Sequence, residues 1–416
     1  MKTKLLNNII MFMLVSSTGG LLFVFNRNLA FLILVSTVIS SLFFLQHRIK
    51  NTTFYSSLLV LFVLFSLFAI NFTLATNLQS LTKYLFFGVT IFTSVLVLFY
   101  YNNQESKTVF INSLYFILKL VLFHALFSFI AYFFVIDSLF LITSEYHETL
   151  TFNYLFHYSL KGGVAVIHLF GFDFPRNAGM FWEAGILQGY LNLLFFLEIS
   201  IFKRNRKLLA LIILAILTTY STTGLLFLLL QIVYFSYKSL KSNIKIIFLI
   251  FLIIPLYFIF NANLNEKIYG EGESSFQKRL FDLTQPFFIA IANPLTGVGL
   301  DLDRFQETRE DFYINSDLNS SLSKIGIEQK IETSSKGSTN SVMYMLAGMG
   351  FPIAFLLIYM FTKQQIITND RLMWFILTFG FVMSEPLLLR PFFFLFIISG
   401  FNQMFYKITS HKKLLS

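Results

Sequence analysis

Two arginines and one glutamate in this sequence have the types that could act on a phosphate-bearing substrate. Arg176 and Glu183 lie in the stretch Gly171-Phe172-Asp173-Phe174-Pro175-Arg176-Asn177-Ala178-Gly179-Met180-Phe181-Trp182-Glu183-Ala184-Gly185. Their spacing of seven residues is about two helical turns, which would aim both the same way. Asn177 reads as the N-cap of the helix that follows, and Arg176 would then sit at a positively polarised helix end, a ready anion site. Arg279 follows Lys278 in Phe276-Gln277-Lys278-Arg279-Leu280-Phe281-Asp282-Leu283. A guanidinium is a permanently charged planar fork that matches phosphate oxygens. A carboxylate such as Glu183 can orient a hydroxyl, accept its proton, or stabilise an oxocarbenium-like centre. For an isolated Arg and Glu, simple anchoring of a helix at an interface is the plainer account.

Other chemistries are excluded or poorly supported. With no Cys, there is no disulfide framework, thiol nucleophile or cysteine-ligated metal. His147, Glu148, His157 and His168 are scattered among aromatics without metal-ligand spacing, so no metal site and no cofactor is expected. Gly297-x-Gly299 lacks the rest of a nucleotide fingerprint. Lys119, His124 and Glu198 fall inside apolar runs, where a polar network between helices is the first expectation and an ion pathway the second.

The elements that must position these residues are membrane helices. Hydrophobic residues make up 56% of the 416, charged residues only 12%, and mean hydropathy is +0.71, too apolar for a water-soluble chain. The runs are continuous rather than alternating, which excludes an outer-membrane barrel. The expected fold is an all-α polytopic membrane protein of about twelve spans: Ile9–Phe25, Leu29–Leu45, Phe54–Phe72, Tyr84–Tyr101, Val109–Ile136, Glu183–Phe202, Leu208–Thr219, Thr222–Tyr237, Ile246–Phe260, Asn340–Phe361, Leu372–Ser384 and Pro391–Tyr406. Spans seven and eight read as a hairpin turning at Ser221-Thr222-Thr223-Gly224. The chain therefore divides into residues 1–136 (five spans), 137–182 (a first external segment), 183–260 (spans six to nine), 261–339 (a large external loop) and 340–416 (three spans and a tail). Every second connection is rich in Lys and Arg, placing both termini in the cytoplasm. The net charge of +10 is thus mostly a topology signal, and no nucleic-acid partner is expected. The 261–339 loop holds 12 of the 21 acidic residues; within it a helix carrying Lys278 and Arg279 would lie on the outer leaflet, and residues 313–338 read as a mobile lid.

The motif Arg176-x-x-Gly179-x-Phe181-Trp182-Glu183-x-Gly185 resembles the Arg-x-x-Gly-x-Phe-Trp-Glu-Pro-Gly signature of bacterial O-antigen and capsule repeat-unit polymerases, with Ala184 in place of Pro. Thr218–Gly224 is similar to the Thr/Ser-rich hairpin turn of that superfamily, which includes the O-antigen ligases. Arg279 followed by Asn293-Pro294-Leu295-Thr296-Gly297-Val298-Gly299 resembles its large-loop pattern. Thr339-Asn340 leading into Gly348-x-Gly350 resembles the start of the next span, with Thr339 where the ligase branch typically has His. The resemblance implies a metal-independent glycosyltransferase of the bacterial cytoplasmic (inner) membrane, joining undecaprenyl-pyrophosphate-linked oligosaccharide repeat units on the external face. It implies catalytic roles for Arg176, Glu183 and Arg279, with Lys161, Lys278, Arg304, Asn340, Glu385 and Arg390 as secondary contacts for pyrophosphate or glycan. Implied partners are the lipid-linked glycans, membrane lipids, a chain-length regulator and a flippase. Two other readings stay open: a ligase passing finished glycan to a lipid A core or protein, and a flippase for lipid-linked oligosaccharides. The lack of internal repeats counts against the flippase.

Overall fold

The computed structural model describes residues 2–45, 49–104, 106–143, 148–158, 166–169, 172–202, 205–239, 273–315 and 338–414. Among them are fourteen α-helices, several of them apolar, as expected of an integral membrane protein. Four are long and apolar enough to cross a bilayer by length and composition: Asn51–Leu74, Leu81–Asn102, Val109–Ser138 and Ser341–Thr362. Each expected span except Ile246–Phe260, which lies outside the described residues, corresponds to helical structure.

The first span is not continuous. Helix α1 (Lys2–Ser16) stops at Ser17–Gly20, then α2 (Leu21–Phe25) and α3 (Arg27–Phe43) follow. Gly19 adopts φ +138°, a conformation open to glycine. The backbone groups freed by this break are met from elsewhere: Leu21 N–H donates to Met180 O at 3.1 Å, and Trp182 N–H donates to Gly19 O at 3.0 Å. The break therefore clamps the loop that carries Glu183.

The segment after α6 (Val109–Val135) contains strands that the sequence reading did not assign. β1 (Phe140–Thr143), β2 (Glu148–Phe152) and β3 (Phe156–Tyr158) form an antiparallel sheet, and β4 (Val166–Leu169) pairs with β5 (Phe172–Pro175). The β2–β3 turn is tight because Asn153 and Tyr154 take left-handed conformations. Tyr158 OH donates to Ser128 O at 2.8 Å, laying this sheet along α6.

Helices α7 (Ala184–Ser200), α8 (Arg206–Thr218) and α9 (Thr222–Ser239) form the hairpin expected at Thr218–Gly224. On α7, Asn192 donates to Gly224 O at 3.1 Å and accepts from Gln231 at 2.9 Å, so polar groups align α9 in an otherwise apolar interface. From the large loop, α10 (Glu273–Ala292) packs on α12 (Ser341–Thr362) and on α11 (Leu302–Asn315), whose Phe305 ring meets Tyr344 of α12 at 4.8 Å. Helices α13 (Arg371–Ser384) and α14 (Pro391–Leu414) complete the set. The run Phe392-Phe393-Phe394 is buried, with Phe393 edge-on to Phe381 at 5.3 Å.

The Gly-x-Gly pair in the large loop is structural. Helix α12 is interrupted at Gly350 (φ +73°), and Pro352 has no N–H to give to Gly348 O. Phe351 N–H donates to Pro294 O instead, while Ala347 O accepts from Val298 N–H at 2.9 Å and Gly348 O from Gly299 N–H at 2.8 Å. A Cβ on Gly297 would come within 2.5 Å of the Gly348 backbone, so glycine is required for this approach. Asn71 donates to Thr296 O and Gly348 O at 2.8 and 2.9 Å, tying the N-terminal helices to the same joint. The result fixes α10 against α12.

Candidate active site

The turn between α8 and α9 is the platform on which the two arginines meet. Arg176 follows β5, and its Nε donates to Thr219 O at 3.1 Å. Arg279 reaches the same turn from α10, with Nη1 donating to Thr223 Oγ1 at 3.1 Å. Two residues far apart in sequence are thus held four residues apart on one turn. Among the described residues, the remaining guanidinium nitrogens of both have no protein partner.

The path from Arg176 to Glu183 is a structured loop, not the helical turns expected from the spacing. Asn177 is not a helix cap: its side chain donates to Ala125 O at 3.0 Å and Thr218 Oγ1 at 2.9 Å, and accepts from Gly179 N–H at 3.0 Å. Gly179 at φ +59° passes 3.3 Å from the Ala125 methyl group, as measured from an added Cβ. Glu183 itself is the residue before α7, in an extended conformation. The loop, clamped at both ends, is what brings Glu183 towards Arg176.

Glu385 joins the cluster from the end of α13. Its carboxylate lies against Gly185, where any side chain would collide with Oε1. Ser341, at the start of α12, fixes this corner by donating to Val382 O at 2.5 Å and to Glu385 O at 3.1 Å.

The charges of these groups lie in electrostatic reach of one another. Burial pushes the Arg176 guanidinium below its ordinary value, with Glu183, Arg279 and Glu385 all felt there. Burial raises Glu183 above the usual carboxylate range despite the pull of Arg176, Arg279 and Lys278. Glu385 is raised well above it, by burial first and then by the Glu183 charge. Burial wins because no contact ion pair joins these cations and carboxylates among the described residues. Such a spread of charges holds opposite signs in reach of one another with space between them. Three cations thus face two carboxylates whose ionised forms burial disfavours, so the balance of the cluster favours a bound anion.

A second buried network sets Arg279 in place, and the sequence reading did not find it. Arg309 of α11 pairs with Asp282 of α10 at 2.9 Å, both 2% exposed, and its Nε donates to Gln285 at 3.0 Å. The other Asp282 oxygen accepts from the amide and hydroxyl of Thr339 at 2.8 and 2.7 Å. Asp282 lies three residues after Arg279, so this network registers the Arg279 helix on the start of α12. A charged residue on a helix of mostly polar character gave no signal of burial.

The remaining candidates are placed as follows. Lys278 contributes charge to the cluster. Asn340 caps α12, its side chain accepting from Met343 N–H at 3.1 Å. Arg304 is paired with Glu307 on its own helix at 2.8 Å, exposed. Arg390 is half-buried, and desolvation pushes it down to about 10, with Arg27 as its charged neighbour. Lys161 and most of the expected lid, residues 316–337, lie outside the described residues. Lys119 and His124 are separate: Lys119 stacks 4.5 Å from the Tyr115 ring, whose hydroxyl donates to Glu198 at 2.5 Å, while His124 meets Leu155 O. Among the described residues no group of three or more His, Asp and Glu is arranged to hold a metal ion.

Residues 208–358, less than half of the chain, are similar to the family model described as O-Antigen ligase. Members of that family are membrane enzymes that transfer glycans. The matched segment holds the α8–α9 turn, Arg279, the Asp282–Arg309 pair and the glycine joint; Arg176, Glu183 and Glu385 lie outside it. Neither the curated proteins nor the solved structures compared with the chain gave a match.

Proposed function

We propose that this protein is a glycan polymerase of the external face of a bacterial cytoplasmic membrane. It moves a glycan from undecaprenyl pyrophosphate to a hydroxyl of another lipid-linked repeat unit. The observation that carries this reading is the convergence of Arg176 and Arg279 on the α8–α9 turn, with Lys278, Glu183 and the buried Glu385 in electrostatic reach and no contact ion pair between them among the described residues.

The chemistry follows from the charges. The bond from the anomeric carbon to the pyrophosphate oxygen breaks, and the acceptor oxygen bonds to that carbon. Pyrophosphate leaves as an anion and needs positive charge rather than a proton; Arg176 and Arg279 supply it from a fixed turn, already oriented. Glu183 takes the acceptor proton, and its raised basicity suits it to that task. Glu385, held neutral, donates a hydrogen bond to the glycan, as a buried carboxylic acid can.

Transfer to another repeat unit, rather than to a lipid A core, is favoured by Thr339. It stands where the ligase branch has His, and both its amide and its hydroxyl are spent on Asp282. It therefore offers no base. The test is the glycan ladder of a deletion strain: single repeat units on carrier or core are expected. Accumulated long undecaprenyl-linked chains would mark a ligase instead, and units stranded inside the cell a flippase.

A further inference from the structure

Arg27 and Arg390 form a second pair of cations, apart from the Arg176–Arg279 platform. Arg27 is the first residue of α3, and Arg390 directly precedes α14. Arg27 Cζ lies 4.3 Å from the ring centroid of Phe86 on α5, a stack that leaves the N–H donors at the guanidinium edge free. The next residue, Phe87, meets Phe68, whose ring is edge-on to Phe394 in the first turn of α14. Phe394 N–H donates to Arg390 O at 3.0 Å. The two arginines thus meet near the same stretch of α5, and Arg27 is the charge felt at Arg390.

This arrangement is unfavourable as it stands. Like charges repel, desolvation bears on Arg390, and a cation at the N-terminal end of a helix opposes its dipole. No acidic residue stands in the first turn of α3 or α14. Among the described residues neither guanidinium makes an ion pair or a hydrogen bond, whereas Lys83, Lys238, Arg304 and Arg309 each pair with a carboxylate. Arg390 is half-buried and none of its nitrogens is sealed, so a ligand can reach it. One anion held by both arginines would relieve all three costs.

Both arginines are tied to the candidate site through the backbone. Arg27 follows the short α2, whose first residue, Leu21, donates to Met180 O in the loop that carries Glu183. Arg390 closes the turn that begins at Glu385, with Leu387 N–H donating to Glu385 O at 2.8 Å and Arg390 N–H to Leu387 O at 2.9 Å. Yet the charges felt at Arg176, Glu183 and Glu385 include neither Arg27 nor Arg390, so the two cation pairs are separate. Polymerisation needs two such places. The donor loses its pyrophosphate at the reacting carbon, while the acceptor keeps its own, a repeat unit away from the attacking hydroxyl.

We propose that Arg27 and Arg390 bind a lipid-borne phosphate, the pyrophosphate of the acceptor glycolipid, while its distal sugar reaches Glu183. This rests on the polymerase reading and gives that reaction a place for its second lipid-linked substrate.

The experiment counts undecaprenyl pyrophosphate molecules bound to the purified protein by native mass spectrometry. Two are expected on wild type, and one each on Arg27→Gln with Arg390→Gln and on Arg176→Ala with Arg279→Ala. One on wild type, or two on the double Gln variant, would overturn the proposal. An equal concentration of phosphatidylglycerol should leave the second site filled; displacement would assign the pair to bulk phospholipid headgroups and overturn it too. Because it removes unpaired charge, the ligand-free double Gln variant should melt no lower than wild type. A lower melting temperature would contradict the unrelieved repulsion on which the inference rests. Arg27→Lys with Arg390→Lys keeps both charges and should recover part of the binding. With purified lipid-linked repeat units, the double Gln variant should polymerise roughly tenfold more slowly when they are scarce and recover at saturation. Equal slowing at both concentrations would overturn the acceptor assignment. Two filled sites without polymer would sink the polymerase reading alone, whereas polymer from a wild type with one site would sink this inference alone.

Discussion

The carboxylate of Glu385 occupies the space that a side chain at Gly185 would fill. Gly185 lies in the first turn of α7 and Glu385 just beyond α13, so this one contact sets the distance between two helix ends. It also places Glu385 beside Glu183, whose Oε1 is 3.7 Å from the same point. Glycine is needed here for close approach rather than for its backbone freedom.

Gly185→Ala should therefore displace Glu385 while leaving the helix intact, since Ala is the better helix former. An ångström of misplacement can cost on the order of 10²-fold in rate. Polymer formation should fall by about that factor at unchanged protein abundance. Full-length polymer from Gly185→Ala would show that the Glu385 position is irrelevant.

Arg176 and Arg279 should each respond in the order wild type, Lys, Ala. Lys keeps the charge and loses the fork, while Ala should cost about 10²–10³ in rate, as for loss of one positioned donor. A lipid-anchoring arginine would tolerate Lys almost silently. Thr223→Val, which removes the hydroxyl that accepts from Arg279, should weaken activity less than Arg279→Ala. Stable expression of the Ala variants with normal polymer ends the catalytic assignment.

The pH profile follows from the raised carboxylates. If Glu183 works ionised, rate should fall as pH drops through its folded-state pKa, so the acid limb lies above the ordinary 4.5. For stability the sign is opposite. A raised folded pKa contributes stability below 4.5 that is lost as pH rises through the folded value. Glu183→Gln should thus be inactive yet melt higher than wild type at neutral pH, with the gain vanishing in acid. Glu385→Gln mimics the neutral acid and should keep activity that Glu385→Ala loses; an inactive Gln variant would mean that Glu385 works ionised.

The Asp282–Arg309 pair should behave as a buried ion pair. Removing either partner alone strands a charge and should cost about 3–5 kcal/mol, read as a lower melting temperature of the solubilised protein. Replacing both with apolar residues, Asp282→Leu with Arg309→Met, should be milder than either single change. Strict additivity of the two singles would show that the pair does not act as a unit.

Much of this molecule is legible in the order of its residues. Apolar runs of helical length dictate membrane helices because lipid offers no partner to a backbone N–H. The Thr-rich hairpin at Thr218–Gly224 also stands in local sequence, and Arg176, Glu183 and Arg279 become candidates there because each sits in a short motif. What sequence could not decide is which groups touch. The seven-residue spacing of Arg176 and Glu183 implied a helix, but clamps from Gly19 and Thr218 hold that stretch as a loop. Nothing local marks Arg309 as buried, because its burial depends on Asp282 and Gln285 from another helix. Glu385 ranked only as a secondary candidate because its neighbour is Gly185, two hundred residues away. Periodicity and motif chemistry are local and can be read along the chain; burial, charge compensation and pKa arise only where distant segments share one low-dielectric space, and tertiary structure alone brings them there.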